Sequence, residues 1–203
     1  LSAERDPGTA PSAEAAAFAP GVDRGDRVHA FEQEGLRVTW SRRRCIHAAA
    51  CVYNLPGVFM PGRRPWVELE RGRTETIARV VTLCPTGALH FERTDGGPPE
   101  LASERNVALL TRNGPTYLRG AIEVLDESGA VRLADTRVAV CRCGASGNKP
   151  LCDGSHHAAG FADDGAIRDE PALTGGEGAV APLRVRALPD GPLELDGPFV
   201  LAS

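Results

Sequence analysis

CRCGASGNKPLCDGSH, Cys141 to His156, places three cysteines and a histidine within sixteen residues of a 203-residue chain. The first two thiols are separated by one residue, the third follows after eight more, and the imidazole after another three. Thiolates bind iron strongly, and an imidazole can replace a thiolate at an iron–sulfur centre with a large effect on its potential. The short C-x-C step can clamp one iron while Cys152 and His156 hold a second. Gly144, Gly147 and Gly154 let the backbone turn closely around inorganic sulfide and offer amide donors. Mononuclear zinc is the competing reading of the same donors. Three Cys and one His satisfy its coordination number, although zinc sites commonly space their first pair by two to four residues.

A second constellation lies upstream, CIHAAAC at 45–51 and CPTGAL at 84–89. Bacterial ferredoxin loops run C-x2-C-x2-C with a remote Cys-Pro, and here Ala48 stands where the middle cysteine would be. Three thiolates remain, Cys45, Cys51 and Cys84, which is the number a 3Fe-4S cluster needs. His47 is the candidate fourth ligand for a 4Fe-4S cluster, or otherwise a donor to a sulfide or a partner. Pro85 has no amide donor and fixes the chain beside Cys84. Arg43 and Arg44 read as exposed cations, the alternative being charges that ease reduction, and Phe59 and Trp66 read as core aromatics rather than electron-path residues.

The remaining composition is compatible with both sites. Six cysteines in two clusters suit metal ligation better than cross-linking in a reducing compartment. Glycine (23) and proline (16) are abundant and aromatics make up only 5% of residues, so turns are plentiful and large core side chains scarce. The net charge of −4 argues against a general nucleic-acid surface. Between Arg37 and Arg79, however, nine arginines face three acids. That excess is either a solvated face or a docking surface for an acidic redox partner. No apolar run reaches the roughly 20 residues of a bilayer span, so the expectation is a soluble, cytoplasmic protein without a membrane role.

Along the chain, residues 1–26 lack an apolar period and are expected to form a flexible lead. GLRVTW alternates as a strand would, TETIARVVTLC puts Ile77, Val80, Val81 and Cys84 on one helical face with Thr74 as its cap, and ALHF reads as a further strand. DGGPP at 95–99 marks a boundary. Beyond it, NVALL, the Tyr117–Val124 region and VRLADTRVAV read as strands separated by NGP and ESG turns. The segment 163–178 reads as a surface connection. NGPTYLRG at 113–120 is echoed by DGPLELDG at 190–197, which raises the expectation of a repeated turn-and-strand unit adding a strand to the second sheet. The chain thus divides into a lead (1–26), a first cluster domain (27–95), a second (96–170) and a C-terminal β extension (171–203). The class is α+β.

Cys141, Cys143, Ser146, Pro150, Cys152, Asp153, Gly154, Ser155 and His156 match the signature of the CDGSH iron–sulfur, or mitoNEET-like, family, and residues 105–161 resemble it. That resemblance implies a 2Fe-2S cluster with three Cys ligands and one His in a small β-rich domain. It also implies a homodimer as one assembly, to which the C-terminal tail is the alternative if it covers the same sheet edge. RCIHAAACV (44–52), LPGVF (55–59), RPW (64–66) and CPTGAL resemble the divergent single-cluster 4Fe-4S ferredoxin domain over roughly 28–92. Asp153 and Ser155 are expected to orient the ligand loop through backbone hydrogen bonds, with Ser146 and Gly154 beside them. Lys149 is expected to face solvent, with tuning of the potential as its alternative, and His157 to face away from His156 as a surface residue, with modification of the His156 environment as its alternative.

Two differently ligated clusters on one chain imply an electron-transfer protein working with a reductase or oxidase. A redox- or pH-responsive sensor or cluster donor is the chief alternative, and a structural zinc module the third. No nucleophile triad, carboxylate pair or nucleotide loop accompanies the cysteines, so no catalysis is expected. Imidazole leaves a metal on protonation more readily than thiolate does. Acidification is therefore expected to shift the potential of the 141–156 cluster and then release it, with His156→Cys longer lived. Visible-absorbance decay of the two proteins at mildly acid pH measures this, and equal rates reject the role given to His156.

Overall fold

The computed structural model describes residues 26–168, 181–188 and 191–203. The lead at 1–26 lies outside them except for Asp26, as do residues 169–178 of the expected connection and Asp190 of the second turn. The architecture is α+β and is built on two sheets.

The first sheet is antiparallel, ordered β1 (Val28–Gln33), β2 (Leu36–Ser41), β3 (Leu89–Arg93). Leu36 and Val38 alternate inward from β2. Against them pack Val58, Phe59, Val67, Leu69 and the inner face of α2 (Thr74–Val81), namely Ile77, Val80 and Val81. Burying Phe59 completely contributes roughly 1.5–3 kcal/mol. A short helix, α1 (Ala50–Asn54), carries Cys51. Glu75 in the first turn of α2 and Arg79 in the last match the helix dipole. Thr74 is not the cap: Arg73 holds that position without a side-chain bond, and the Thr74 hydroxyl accepts from Gln33 Nε2 at 3.3 Å.

The second sheet is built along β5 (Thr116–Leu125). The strand β6 (Val131–Val140) lines one edge, while β4 (Val107–Leu110) pairs with residues 116–119 on the other. Opposite Ile122–Val124 runs β7 (Leu183–Ala187), parallel to β5; β8 (Leu193–Asp196) pairs antiparallel with β7, and β9 (Val200–Ala202) runs parallel to β4. The C-terminal segment therefore adds three strands to this sheet rather than one, including the turn-and-strand echo as β8. The change of partner along β5 falls at Gly120, which has φ +133°. A Cβ there would lie 2.1 Å from Asn106 Oδ1, the atom that accepts from Ala121 N–H at 2.8 Å. Among the described residues no helix is long and apolar enough to cross a membrane.

Charged side chains join the two sheets at a buried seam. Arg44, at the start of the first cysteine loop, pairs through Nη1 with Asp135 Oδ2 of β6 at 2.7 Å, and both are essentially buried. Its Nη2 donates to the carbonyls of Thr86 (2.8 Å) and Arg137 (3.0 Å). Arg137, also on β6, pairs with Glu100 and donates to the carbonyls of Val81 (2.5 Å), Leu89 (3.0 Å) and Cys84 (3.3 Å). The His90 ring on β3 lies between the carboxylates, Nδ1 3.1 Å from Glu100 and Nε2 3.0 Å from Asp135. Arg44 is thus no exposed cation. Gly87 (φ +63°) lets the chain pass this close, because a Cβ would lie 2.2 Å from Arg137 O and 2.4 Å from Arg44 Nη2.

Burial opposes charge on His90, but Asp135 and then Glu100 overcome it and raise its pKa to about 9. Burial also opposes charge on Asp135, which Arg44 and His90 outweigh, holding its carboxyl at about 2. The His90 contribution to stability is complete below its unfolded value near 6.5 and is lost as pH rises through about 9. That of Asp135 is present above about pH 4 and is lost as pH falls toward 2. The melting temperature is accordingly expected to decline between pH 6.5 and 9, and His90→Gln to remove most of that slope. Asp135→Asn leaves two cations without their counter-charge and is expected to lower stability by about 3–5 kcal/mol in denaturant unfolding.

Candidate metal centres

The first candidate centre lies in the loop between β2 and α1. His47 (φ 57°) and Ala49 (φ 59°) are both left-handed, a conformation costing a non-glycine residue of order 1 kcal/mol or more and concentrated at functional sites. These two turns bend the backbone around a small pocket lined by Cys45, Ala48, Cys51, Cys84, Trp40 and Trp66. Cys84 arrives from the far end of α2, where its N–H bonds to Val81 O at 3.1 Å and Pro85 turns the chain. Burial, with the Cys84 and Cys45 thiols adding to it, pushes the Cys51 thiol up to about 11. The loop thus gathers the three thiols expected to act together. His47 is exposed and does not line the pocket, whereas Ala48 does.

The pocket wall carries two polar groups that composition did not single out. The indole nitrogens of Trp40 and Trp66 are buried and have no hydrogen-bond partner. The rings meet edge to face at 4.9 Å, and Trp66 also contacts Phe31 and Phe59. A buried N–H without an acceptor costs roughly 1–3 kcal/mol, and both of these belong to residues that line the pocket. Thiolate and sulfide sulfurs are such acceptors, and the donor set fits an iron–sulfur cluster.

The second candidate centre begins where β6 ends. The chain turns through residues 142–148 and returns against β6: Leu151 bridges Val140, Cys152 N–H bonds to Ala139 O at 2.8 Å, and Cys141 N–H bonds to Pro150 O at 2.8 Å. This return brings the donors together in two pairs. Cys141 Sγ lies 3.7 Å from Cys143 Sγ, and Cys152 Sγ lies 3.4 Å from His156 Nδ1. Two sulfurs at about 2.3 Å from one tetrahedral metal sit about 3.8 Å apart, and a sulfur with a nitrogen at about 2.0 Å sits about 3.5 Å away, so each pair has the spacing of two ligands on one metal. Among the described residues no group of three or more His, Cys, Asp and Glu side chains is placed to hold a single metal ion.

The surrounding polar groups fix this loop. Asp153 accepts from Gly147 N–H (2.8 Å) and Ser155 N–H (3.0 Å), and Ser146 Oγ donates to Leu151 O (2.6 Å) while accepting from Asn148 N–H (3.0 Å). Burial opposes charge on Asp153, but the bonds from Ser155 and Gly147 hold its carboxyl at about 2. The backbone amides of Gly154 and Ala145 point at the sulfurs of Cys152 and Cys143, each at 3.4 Å, as they would at a metal-bound thiolate. Burial, helped by the Cys141 thiol and Asp153, pushes the Cys152 thiol up to about 11. Lys149 is exposed as expected. His157 does not point away: its ring lies 4.1 Å from that of His156 and, after burial, is the second influence lowering the His156 pKa.

Comparison with known proteins gives both regions the same character. Residues 31–94 match the family described as a divergent 4Fe-4S mono-cluster, and residues 113–157 match the iron-binding zinc finger of CDGSH type. Both are cofactor-binding, electron-transfer modules rather than catalytic ones. Two relatives, the uncharacterized protein YjdI from two Escherichia coli strains, are each 29% identical over 70 residues, which is 34% of this chain and 90% of theirs. No solved structure matches.

Hydrogen bonds to cluster sulfur favour the more negative, reduced state. Trp66→Phe and Trp40→Phe keep an aromatic ring but remove the donor. Each is expected to lower the potential of the first centre by roughly 20–60 mV, the equivalent of one hydrogen bond, in an EPR-monitored redox titration. The second centre serves as the internal control.

Proposed function

We propose that this chain, a divergent 4Fe-4S mono-cluster domain followed by a CDGSH-type domain, is a two-centre electron carrier that passes single electrons between protein partners. The second centre is read as a 2Fe-2S cluster with Cys141 and Cys143 on one iron and Cys152 and His156 on the other. The observation that carries this reading is the pairing of the donors, at 3.7 Å and 3.4 Å. A single zinc ion would need all four around one point, so the pairing favours two irons over one zinc. The first centre is read as 3Fe-4S, supported by three thiols around one pocket with Ala48 in its wall and His47 outside it. A fourth iron would require a ligand that these side chains do not supply.

Iron–sulfur clusters accept and release an electron with little rearrangement, and the protein sets the potential through ligation, charge and exposure. This chain's part is to hold the ligands before and after transfer. Asp153 and Ser146 pin the 146–155 loop, and Arg137 and Arg44 hold the Cys84–Thr86 backbone. The partners are read as a protein reductase and oxidase. The arginines between 37 and 79 are in part committed within the fold: Arg37 to Glu32 and Glu92, Arg63 and Arg71 to Glu68, and Arg44 to Asp135.

Anaerobic purification, iron and sulfide analysis, and EPR in both oxidation states test the assignment. The expected result is an oxidised-state signal from a three-iron cluster and a separate reduced-state signal from a two-iron cluster. Cys84→Ala should remove only the first, and Cys143→Ala only the second. Stoichiometric zinc without sulfide would overturn the assignment.

A further inference from the structure

The two centres lie on opposite sides of one contact. Ile46, next to Cys45, is buried against Cys152 and Ala139, with Tyr117 packed over them. Gly154 closes on the same residue, since a Cβ built there would stand 3.9 Å from Ile46 Cβ and 4.0 Å from its Cα. The Cα atoms of Cys45 and Gly154 are therefore within about 10 Å of each other, given about 3.8 Å between neighbouring Cα atoms. A direct bond joins the same loops, Asn148 Nδ2 donating to Arg43 O at 3.4 Å. Tyr117 sits on β5 opposite Ala139 of β6. Burial raises its hydroxyl pKa, and the Cys152 and Cys84 thiols add to the effect, so one phenol is within electrostatic reach of a thiol from each centre.

From this packing we infer that Ile46, seated against Cys152 beneath Tyr117, joins the two centres electronically, so that an electron entering at either centre equilibrates with the other inside the chain. The inference rests on the two-cluster reading. A one-electron donor such as dithionite supplies the electron. One centre is oxidised as the other is reduced, and no bond is made or broken. The contact is made of a branched aliphatic side chain, a small apolar residue, a cysteine and an aromatic ring, with no charged side chain among them. Were the centres at opposite ends of the molecule, each would need its own docking surface for both donor and acceptor. Here one surface at either centre serves both.

The test uses the full chain, reconstituted with iron and sulfide and partly reduced with dithionite. Iron and sulfide are counted first, and all proteins are compared at equal loading. In the wild type, the reduced two-iron EPR signal should relax faster than in Cys84→Ala, because a second paramagnet lies close by. Rapid freeze-quench EPR should show equilibration between the centres slowed in Ile46→Ala and restored in Ile46→Leu, with midpoint potentials unmoved. A chain that takes up no iron and sulfide ends the two-cluster reading and this route with it. A chain that loads both centres, yet shows the same relaxation with and without the first, or equilibrates as fast in Ile46→Ala as in the wild type, overturns the route alone.

Discussion

The ion-paired seam between the sheets is the constraint on which the rest of the structure depends. Asp135 and Glu100 are almost wholly buried and face Arg44, Arg137 and His90. Taking such groups out of water costs several kcal/mol each, and a buried pair often returns little net stability. What it returns is position. A carboxylate in a low-dielectric interior is satisfied only when its partners arrive in one arrangement, whereas aliphatic surfaces tolerate sliding by an ångström. The seam therefore trades stability for a fixed docking of one sheet on the other.

Fixed docking matters because neither centre is independent of it. Arg137 belongs to the second sheet but donates to the carbonyls of Val81 at the end of α2, Cys84 after it and Leu89 of β3. The backbone leading to Cys84 is thus held by the opposite unit in addition to its local Cys84 N–H to Val81 O bond. In the other direction, Arg44 from the first cysteine loop reaches Asp135 and the Arg137 carbonyl on β6, the strand that ends one residue before Cys141. Each ligand loop is thus braced by the opposite unit. Gly87, which leaves no space for a side chain between Arg137 and Arg44, shows how closely the two were brought together.

The ligand loops and most strands were legible in the sequence because their signals are local. C-x-C and CDGSH spacing, the Cys-Pro step, and the alternation of GLRVTW and VRLADTRVAV each fit within a few residues. The seam was not legible, because its five side chains are scattered from Arg44 to Arg137 and each reads as ordinary surface charge. One signal did exist. Asp135 and Arg137, two residues apart and so on one face of β6, stand in line with the apolar Leu133 and Ala139, and charges on a face that is buried need partners there. Thr74 is wrongly expected as a cap for a related reason: propensity favours its hydroxyl, but β1 supplies Gln33 to occupy it. The position of His157 depends on the turn after His156, where Phe161 N–H bonds back to His156 O at 3.1 Å, a closure that residue spacing does not encode.

The seam also bears on redox chemistry through its charge. With the His90 pKa near 9, the ring is protonated at neutral pH, so three cations, Arg44, Arg137 and His90, face two carboxylates, Asp135 and Glu100. The balance is one positive charge, buried where effective dielectric is low and directly behind Cys45 and Cys84. An electron added to the first centre is attracted to that charge, and linkage requires the converse, that reduction holds the proton on His90 more tightly. Exposed arginines on the same loop would be screened by salt and solvent and have little such effect. The feature that fixes the two sheets against each other is therefore also the one placed to favour the reduced form of the centre it braces.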